Sequence, residues 1–418
     1  MFRGKCHKKC HKRGAMAGHQ FQITSPESLP ELFRHSRYAA LLGVPGTVSV
    51  TGTRKDVRAR LREHCSDQSG VYGMVSATGQ LIYVGMSRCL KKRLQSYFSS
   101  KISRTKERRI GHRSTTLIWQ PTAHELIARL RERELIRLYR PNHNVQGHPT
   151  RMKLGYLTLV NQAAPAFVLS PHLPKTHGGI WGPLPLTRFL KTAVGELNHH
   201  FQLRDCPRKT PISFKHEPAH ETADFTPCMR ADLRTCLAPC VRGCTLTAYT
   251  RAVTAAKRFL NGDAGKTLAA IEQQMRDAVV VRKFEKAAQL RDRRQVLERI
   301  HQHLRRFHDW TSHANFVYPI VSSMDEQEWW LIVVRGTVQE VWSRPCTSEE
   351  KTVATERFRL IGEQLSGSST QSVVTGPDEF ESSRLLFRWF RHFPKEKDRQ
   401  LTLAKARRLC HSILRKQS

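Results

Sequence analysis

The stretch GVYGMVSATGQLIYVGMSRCLKKRLQSYF, residues 70–98, sets Tyr72 and Tyr83 in two short apolar runs, each close to a glycine, and then enters a basic segment containing Arg93. The apolar runs, joined through Ala77–Thr78–Gly79, read as a β-hairpin. Leu90, Leu94 and Phe98 recur at four-residue spacing, which predicts a helix over 88–98. On that helix Arg93 stands at the edge of the Leu90–Leu94–Tyr97 stripe, while Lys92 points away from it. From the edge a planar guanidinium can lean over the neighbouring strands and meet a phosphate. A second helix, over 123–139 and ended by Pro141, puts Glu125 and Glu132 on one face. Glu134 is turned about 160° from that face. A lone carboxylate facing two tyrosines and an arginine suits a divalent cation, because Mg²⁺ often takes one or two protein carboxylates plus water and phosphate. Asn144, just past the proline, offers an amide to a phosphate oxygen. Tyr97 and Glu134 read as ordinary packing and solvated residues.

Charge narrows the partner. The 418 residues carry 70 Lys+Arg against 35 Asp+Glu, a net charge of +35, yet 39% of residues are hydrophobic. That apolar share argues against wholesale disorder, so the surplus calls for a polyanion. Nucleic acid fits, because phosphate contacts release counterions. A membrane surface would gather the cations on one amphipathic helix, whereas here they run along the whole chain. The longest apolar run, WWLIVV at 329–334, is strand-sized, so no membrane span is expected and a cytoplasmic setting is. In that setting the 11 cysteines are expected as thiols or metal ligands.

Organisation follows from the pattern changes. Residues 1–65 form an N-terminal extension, with a β-like piece at 47–53 and a basic helix after it. Its Cys6, His7, Cys10 and His11 are too crowded to surround one ion. A small α/β domain is expected at 66–150, with a basic loop at 101–113. Residues 151–245 read as an irregular, cysteine-rich linker, 246–305 as a helical hairpin and 306–418 as a mixed α/β region, an α+β protein in all. Cys206, Cys228, Cys236 and Cys240, spaced by 22, 8 and 4, gather four soft ligands suited to zinc or an iron–sulfur cluster. Inert buried thiols are the plainer alternative. Leu268, Ile271, Met275 and Val279 make one narrow stripe, too small to bury much alone. FRWFRHF (387–393) and KARR (405–408) interleave aromatic and basic residues, as DNA stacking or a packed amphipathic helix would.

Taken together and in order, GVY (70–72), YVG (83–85), LKKRLQSYF (90–98) and ERELIRLYRPNHN (132–144) resemble the GIY-YIG nucleases of the UvrC family. The family supplies the incision subunit of bacterial nucleotide excision repair. The resemblance implies Tyr72 and Tyr83 as motif tyrosines, Arg93 as the phosphate arginine, Glu132 as the ligand of Mg²⁺ or Mn²⁺, and Asn144 as a phosphate-contacting amide. The implied reaction is hydrolysis of one phosphodiester bond, with Tyr72 favoured as base and Tyr83 as its orienting partner, though the residues alone do not distinguish the two. A tyrosine at its ordinary pKa near 10 is a poor base, so cations nearby would have to lower it. Where the family usually has lysine, three residues after the YVG tyrosine, this chain has Met86.

FQLRDC (201–206) and CLAPC (236–240) resemble the family's cysteine-rich stretch, which implies an iron–sulfur cluster on Cys206, Cys228, Cys236 and Cys240, with zinc as the alternative and Cys244 as a spare. FEKAAQLRD (284–292) resembles the UVR motif, implying that residues 264–300 dock UvrB, with UvrA acting upstream. The resemblance covers roughly 66–305. Neither a ribonuclease-H-like acidic triad nor a tandem helix-hairpin-helix is visible beyond it. It implies a single nick in damaged double-stranded DNA, on the 3′ side of a lesion, within the DNA-damage (SOS) response. Two readings stay open beside it: a DNA-binding scaffold whose nuclease site has decayed, suggested by Met86, and a stand-alone GIY-YIG nuclease outside repair.

Overall fold

The computed structural model describes residues 33–411 except 34, 100–105, 145–153, 173–176, 208, 217–227 and 367–376. Cys6, His7, Cys10 and His11 lie outside the described residues. The chain divides into two compact units between residues 148 and 149.

In the first unit the elements run β1 (Gly46–Ser49), α1 (Arg54–His64), β2 (Gly70–Ser76), β3 (Leu81–Ser87), α2 (Leu90–Ser96), α3 (Lys106–Arg113), β4 (Ser114–Pro121) and α4 (Glu125–Tyr139). The sheet is antiparallel in the order β1-β4-β2-β3, which makes β3 an edge strand. Alternation along the strands sends Tyr72, Met74, Leu117 and Trp119 to one face, against Val57, Leu61, Leu90, Leu94 and Ile110 of α1–α3. Val71, Val75, Val84 and Ile118 go to the other face, against Ala128, Leu135 and Ile136 of α4. Helix α1 starts sharply because Thr53 and Asp56 close a capping box. Part of the expected basic loop is the helix α3, which Ile110 pins to the core and in which Gly111 rests over Tyr97. One apolar side chain in so basic a segment gives no periodicity to read.

The second unit begins with a three-stranded sheet, β5 (Leu154–Leu159), β6 (Phe167–Ser170) and β7 (Gly179–Pro185), in the order β6-β5-β7. Then come α5 (Arg188–His200), α6 (Met229–Asp232), α7 (Leu246–Leu260), α8 (Gly265–Val280) and α9 (Phe284–His313). Leu157, Phe167, Leu190, Leu197, Tyr249, Phe259, Ile271, Leu297 and Ile300 share one core across these elements. The expected linker is therefore a folded layer. Its prolines and glycines broke the strand pattern without breaking the strands.

The expected hairpin at 246–305 also needs correction. It holds α7, α8 and most of α9 on a core that α5 shares, and α9 runs through residue 305 without a break. Its stripe does not wait for a partner: Ile271 is fully buried, and Leu268 and Met275 pack on the same core. What stays exposed is the tip, with Val279, Val280, Val281 and Phe284.

The remaining elements are β8 (Phe316–Val321), β9 (Glu328–Val334), β10 (Thr337–Ser343), α10 (Ser348–Ser366), α11 (Pro377–His392), α12 (Pro394–Lys397), β11 (Leu401–Thr402) and α13 (Leu403–His411). They form a sheet in the order β10-β9-β8-β11 with helices packed on it. The 387–393 aromatics answer to packing: Trp389 and Phe390 are buried, and the Phe390 ring meets Phe316 and Tyr318 edge-on.

Candidate active site

Two glycines make the hairpin able to carry a tyrosine cluster. Tyr72 on β2 sits opposite Gly85 on β3. A Cβ on Gly85 would lie 2.5 Å from the Tyr72 hydroxyl, so the YVG glycine is the space that hydroxyl occupies. Gly70 is likewise crowded by the Gln120 carbonyl and Leu90. The spacing of glycine to tyrosine thus reports close packing across two strands.

Helix α2 brings the arginine. Arg93 Nε donates to the Tyr72 hydroxyl at 3.1 Å, and Nη2 donates to the Tyr97 hydroxyl at 3.2 Å. The two hydroxyls are 3.0 Å apart, closing a triangle. Tyr97 was expected merely to pack, and the structure corrects this. It lies four residues after Arg93, one turn on the same helical face, and that spacing was the available signal. Tyr83 joins from β3, its ring centroid 6.1 Å from that of Tyr72 and 5.5 Å from Lys106 Nζ. Tyr72 and Tyr97 are buried, whereas Tyr83 is part exposed.

Burial pushes the Tyr72 phenol well above its ordinary range; Tyr83 adds to this, and Arg93 works against it without prevailing. Burial, then Tyr72 and Tyr83, do the same to Tyr97. At Tyr72 desolvation outweighs the lowering effect of the neighbouring Arg93.

The outward-facing backbone groups of the β3 edge are taken up by polar groups after the hairpin. His143 N donates to the Ile82 carbonyl at 3.1 Å. Asn144 receives Val84 N–H on Oδ1 at 2.9 Å and donates from Nδ2 to the Val84 carbonyl at 2.7 Å. The Met86 N–H reaches the Glu132 carboxylate. Asn144 is buried, and its amide bonds both backbone groups of Val84 on strand β3, which positions that strand. Glu132 remains part exposed, yet the protein around it raises its pKa through burial, against the pull of Arg133, Arg129 and the Met86 N–H. Its partner on the expected face, Glu125, is held by Arg129 at 2.7 Å and by Arg88 at 2.6 Å.

Glu134 also departs from expectation. It accepts from Arg131 Nη1 and from Ser36 Oγ, each at 2.6 Å. Arg131 is wholly buried and donates further to the carbonyls of Phe33 and His35. These bonds fasten the segment before β1 to α4, the helix that bears Glu132.

Glu132 is a single part-exposed carboxylate that takes the Met86 N–H of strand β3, which fits one Mg²⁺ completed by water and phosphate oxygens. The cysteines do not fit their expected group. Cys236 is buried, and burial pushes its thiol up to about 11, with Cys206, Cys240 and Cys228 adding to the effect. The four thiols are thus neighbours. Even so, among the described residues no three His, Cys, Asp or Glu stand where they could hold a metal ion. The structure supports neither the iron–sulfur cluster nor zinc. Cys244 is buried beside the core residues and is also pushed to about 11 by burial.

Residues 68–145 match the family model of the UvrC-like GIY-YIG domain, and residues 155–259 that of the UvrC/Cho excinuclease middle domain. The UvrABC system protein C of Idiomarina loihiensis is 30% identical over 229 residues, 55% of this chain and 36% of that protein. The corresponding protein of Desulfitobacterium hafniense is 31% identical over 245 residues, 57% of this chain and 37% of that protein. The chain thus matches little more than a third of the length of these relatives. Among solved structures, the GIY-YIG N-terminal endonuclease domain of UvrC from Thermotoga maritima, bound to magnesium, is 31% identical. It covers 21% of this chain and 97% of its own, with a TM-score of 0.19. No helix among the described residues is long and apolar enough to cross a membrane.

Proposed function

Because this chain is a member of the UvrC family, carrying that family's GIY-YIG domain ahead of its middle domain, we propose that it is a metal-dependent endonuclease that nicks damaged DNA once, 3′ of the lesion, in nucleotide excision repair. The observation that carries this reading is the Arg93 fork held by two buried phenols, with the part-exposed Tyr83 ring against that of Tyr72.

Tyr72 and Tyr97 fix Arg93 so that its charge meets the phosphate without reorganising when charge develops in the transition state. Tyr83, the tyrosine with access to solvent, orients the attacking water, and Tyr72 holds the arginine. Glu132 holds Mg²⁺, which when bound supplies Lewis-acid charge at the phosphate. Met86 takes part through its backbone N–H, which any residue in that place would offer, so it is poor evidence of decay. The exposed tip of α8–α9, with Val280 and Phe284, is the surface offered to UvrB, with UvrA acting before it.

The test is incision of a lesion-bearing duplex in Mg²⁺, with and without UvrA and UvrB. Wild type should nick once, and Glu132→Gln and Arg93→Ala should lose the nick by orders of magnitude while still binding DNA. A wild type that binds and never nicks, even with both partners, overturns the nuclease reading in favour of a scaffold. Nicking that ignores UvrA, UvrB and the lesion points to a stand-alone nuclease.

A further inference from the structure

Behind the tyrosine cluster, the N-terminal extension and α3 enclose a cavity of about 250 Å³. Val57, Phe98 and Gly111 lie buried along it, and Arg54, Arg108 and His112 stand exposed at its rim. Arg54 Nη2 and His112 Nε2 are 3.3 Å apart. Arg108 has no hydrogen-bond or ion-pair partner among the described residues. The carboxylates closest in sequence are engaged elsewhere: Asp56 takes the Thr53 N–H and hydroxyl at 2.8 Å each, and Glu107 lies 3.9 Å from Arg93. The rim is therefore cationic.

Two relations give this cavity meaning. Tyr97 lines it and also belongs to the Arg93 triangle, so an occupant would sit next to the reacting phosphate and not on it. Arg54 and Val57 come from α1, which precedes residues 68–145 of the matched domain.

We infer that the cavity binds one sugar–phosphate unit of the DNA strand flanking the scissile phosphate, an inference that rests on the nuclease reading above. The phosphate lies between Arg54, Arg108 and His112, and the sugar lies on Val57 and Phe98. Such a contact reads no sequence; it fixes the register of the strand, so that the correct phosphate meets Arg93.

The experiment uses the 418-residue chain carrying Glu132→Gln, so that the DNA stays uncut, and a duplex in which each phosphate near the incision point is replaced in turn by neutral methylphosphonate. With the cavity intact, one flanking replacement should weaken binding about tenfold, as loss of a charge-assisted contact does. Arg54→Ala/Arg108→Ala should bind about tenfold more weakly, lose its response to that replacement, and lower the slope of log affinity on log salt by about 1, since one phosphate is released. Arg62→Ala, an exposed arginine on α1 outside the cavity, should keep the response. If the double variant still responds to the same methylphosphonate, or binds as Arg62→Ala does, the inference is wrong. Because binding is read without cleavage, failure of the nuclease reading shows separately, as an unmodified duplex that wild type leaves intact.

Discussion

The Tyr97 hydroxyl stands 3.0 Å from that of Tyr72, and one guanidinium, that of Arg93, donates to both. The two buried phenols thus act as one device for holding a part-exposed cation. Tyr97→Phe removes one acceptor and keeps the ring that the arginine covers at 4.9 Å. The fold should lose about 1 kcal/mol, the usual net worth of one hydrogen bond. Nicking should fall much more, because Arg93 gains freedom just where its orientation matters. Single-turnover rates on cleavable DNA, set beside thermal melting, separate the two effects. A nicking rate equal to wild type would return Tyr97 to simple packing.

Gly85 is the second part of that device. An alanine there would press its Cβ against the Tyr72 hydroxyl and ring, both buried and unable to withdraw freely. Gly85→Ala should cost about 1–3 kcal/mol by overpacking. It should also displace Tyr72 from Arg93, so that nicking drops together with stability. Gly265→Ala, at a glycine with open space around its Cβ position, is the comparison and should melt close to wild type. If Gly85→Ala melts with it, the hairpin has slack that the close approach of Tyr72 and Gly85 denies.

Glu134 is no silent neighbour of Glu132. Glu134→Gln takes the negative charge from a wholly buried arginine that otherwise has only the carbonyls of Phe33 and His35. A charged hydrogen bond of this kind is worth about 1.5–3 kcal/mol. Melting should fall accordingly, while DNA affinity, which depends on the cationic surface, should change little. Melting at the wild-type temperature would show that the strap before β1 is held by other means.

How much of this was legible in the residues depends on whether a group acts through pattern or through partners brought from afar. Tyr72, Tyr83, Arg93 and Glu132 stood in a hairpin and two helices whose apolar spacing was plain, and those elements are where spacing put them. Asn144 was read from its place past Pro141 and from the resemblance, and neither marks Val84, a strand residue sixty positions earlier, as the partner its amide bonds. Glu134 looked solvated because nothing local marks Ser36 and the Phe33 carbonyl as its neighbourhood. The three-stranded sheet at 154–185 hid behind prolines and glycines, which weaken propensity but do not forbid strands once a core of Leu157, Phe167 and Leu197 forms over them. The cysteines run the other way: close spacing in sequence did gather the thiols, yet among the described residues no three ligands stand where they could hold a metal ion.

Glu132 should trade stability for metal binding, and pH exposes the trade. Burial raises its folded pKa above the unfolded value of about 4.3. Between those two values the folded chain keeps a proton that the unfolded chain has released, so stability falls as pH rises through the window. Above it, wild type holds a charge in a poorly solvated place and Glu132→Gln does not. Without divalent metal at pH 7, Glu132→Gln should therefore melt higher than wild type. Below pH 4, where the glutamate is neutral in both states, the difference should vanish. Mg²⁺ should raise the melting temperature of wild type at pH 7, since a ligand that binds only the folded state stabilises it, and should leave Glu132→Gln where it was. Nicking should rise with pH through the same raised pKa, because the carboxylate must be ionised to hold the cation. Equal melting of the two proteins at both pH values would show that Glu132 is well solvated, and an equal Mg²⁺ response would place the metal on another residue.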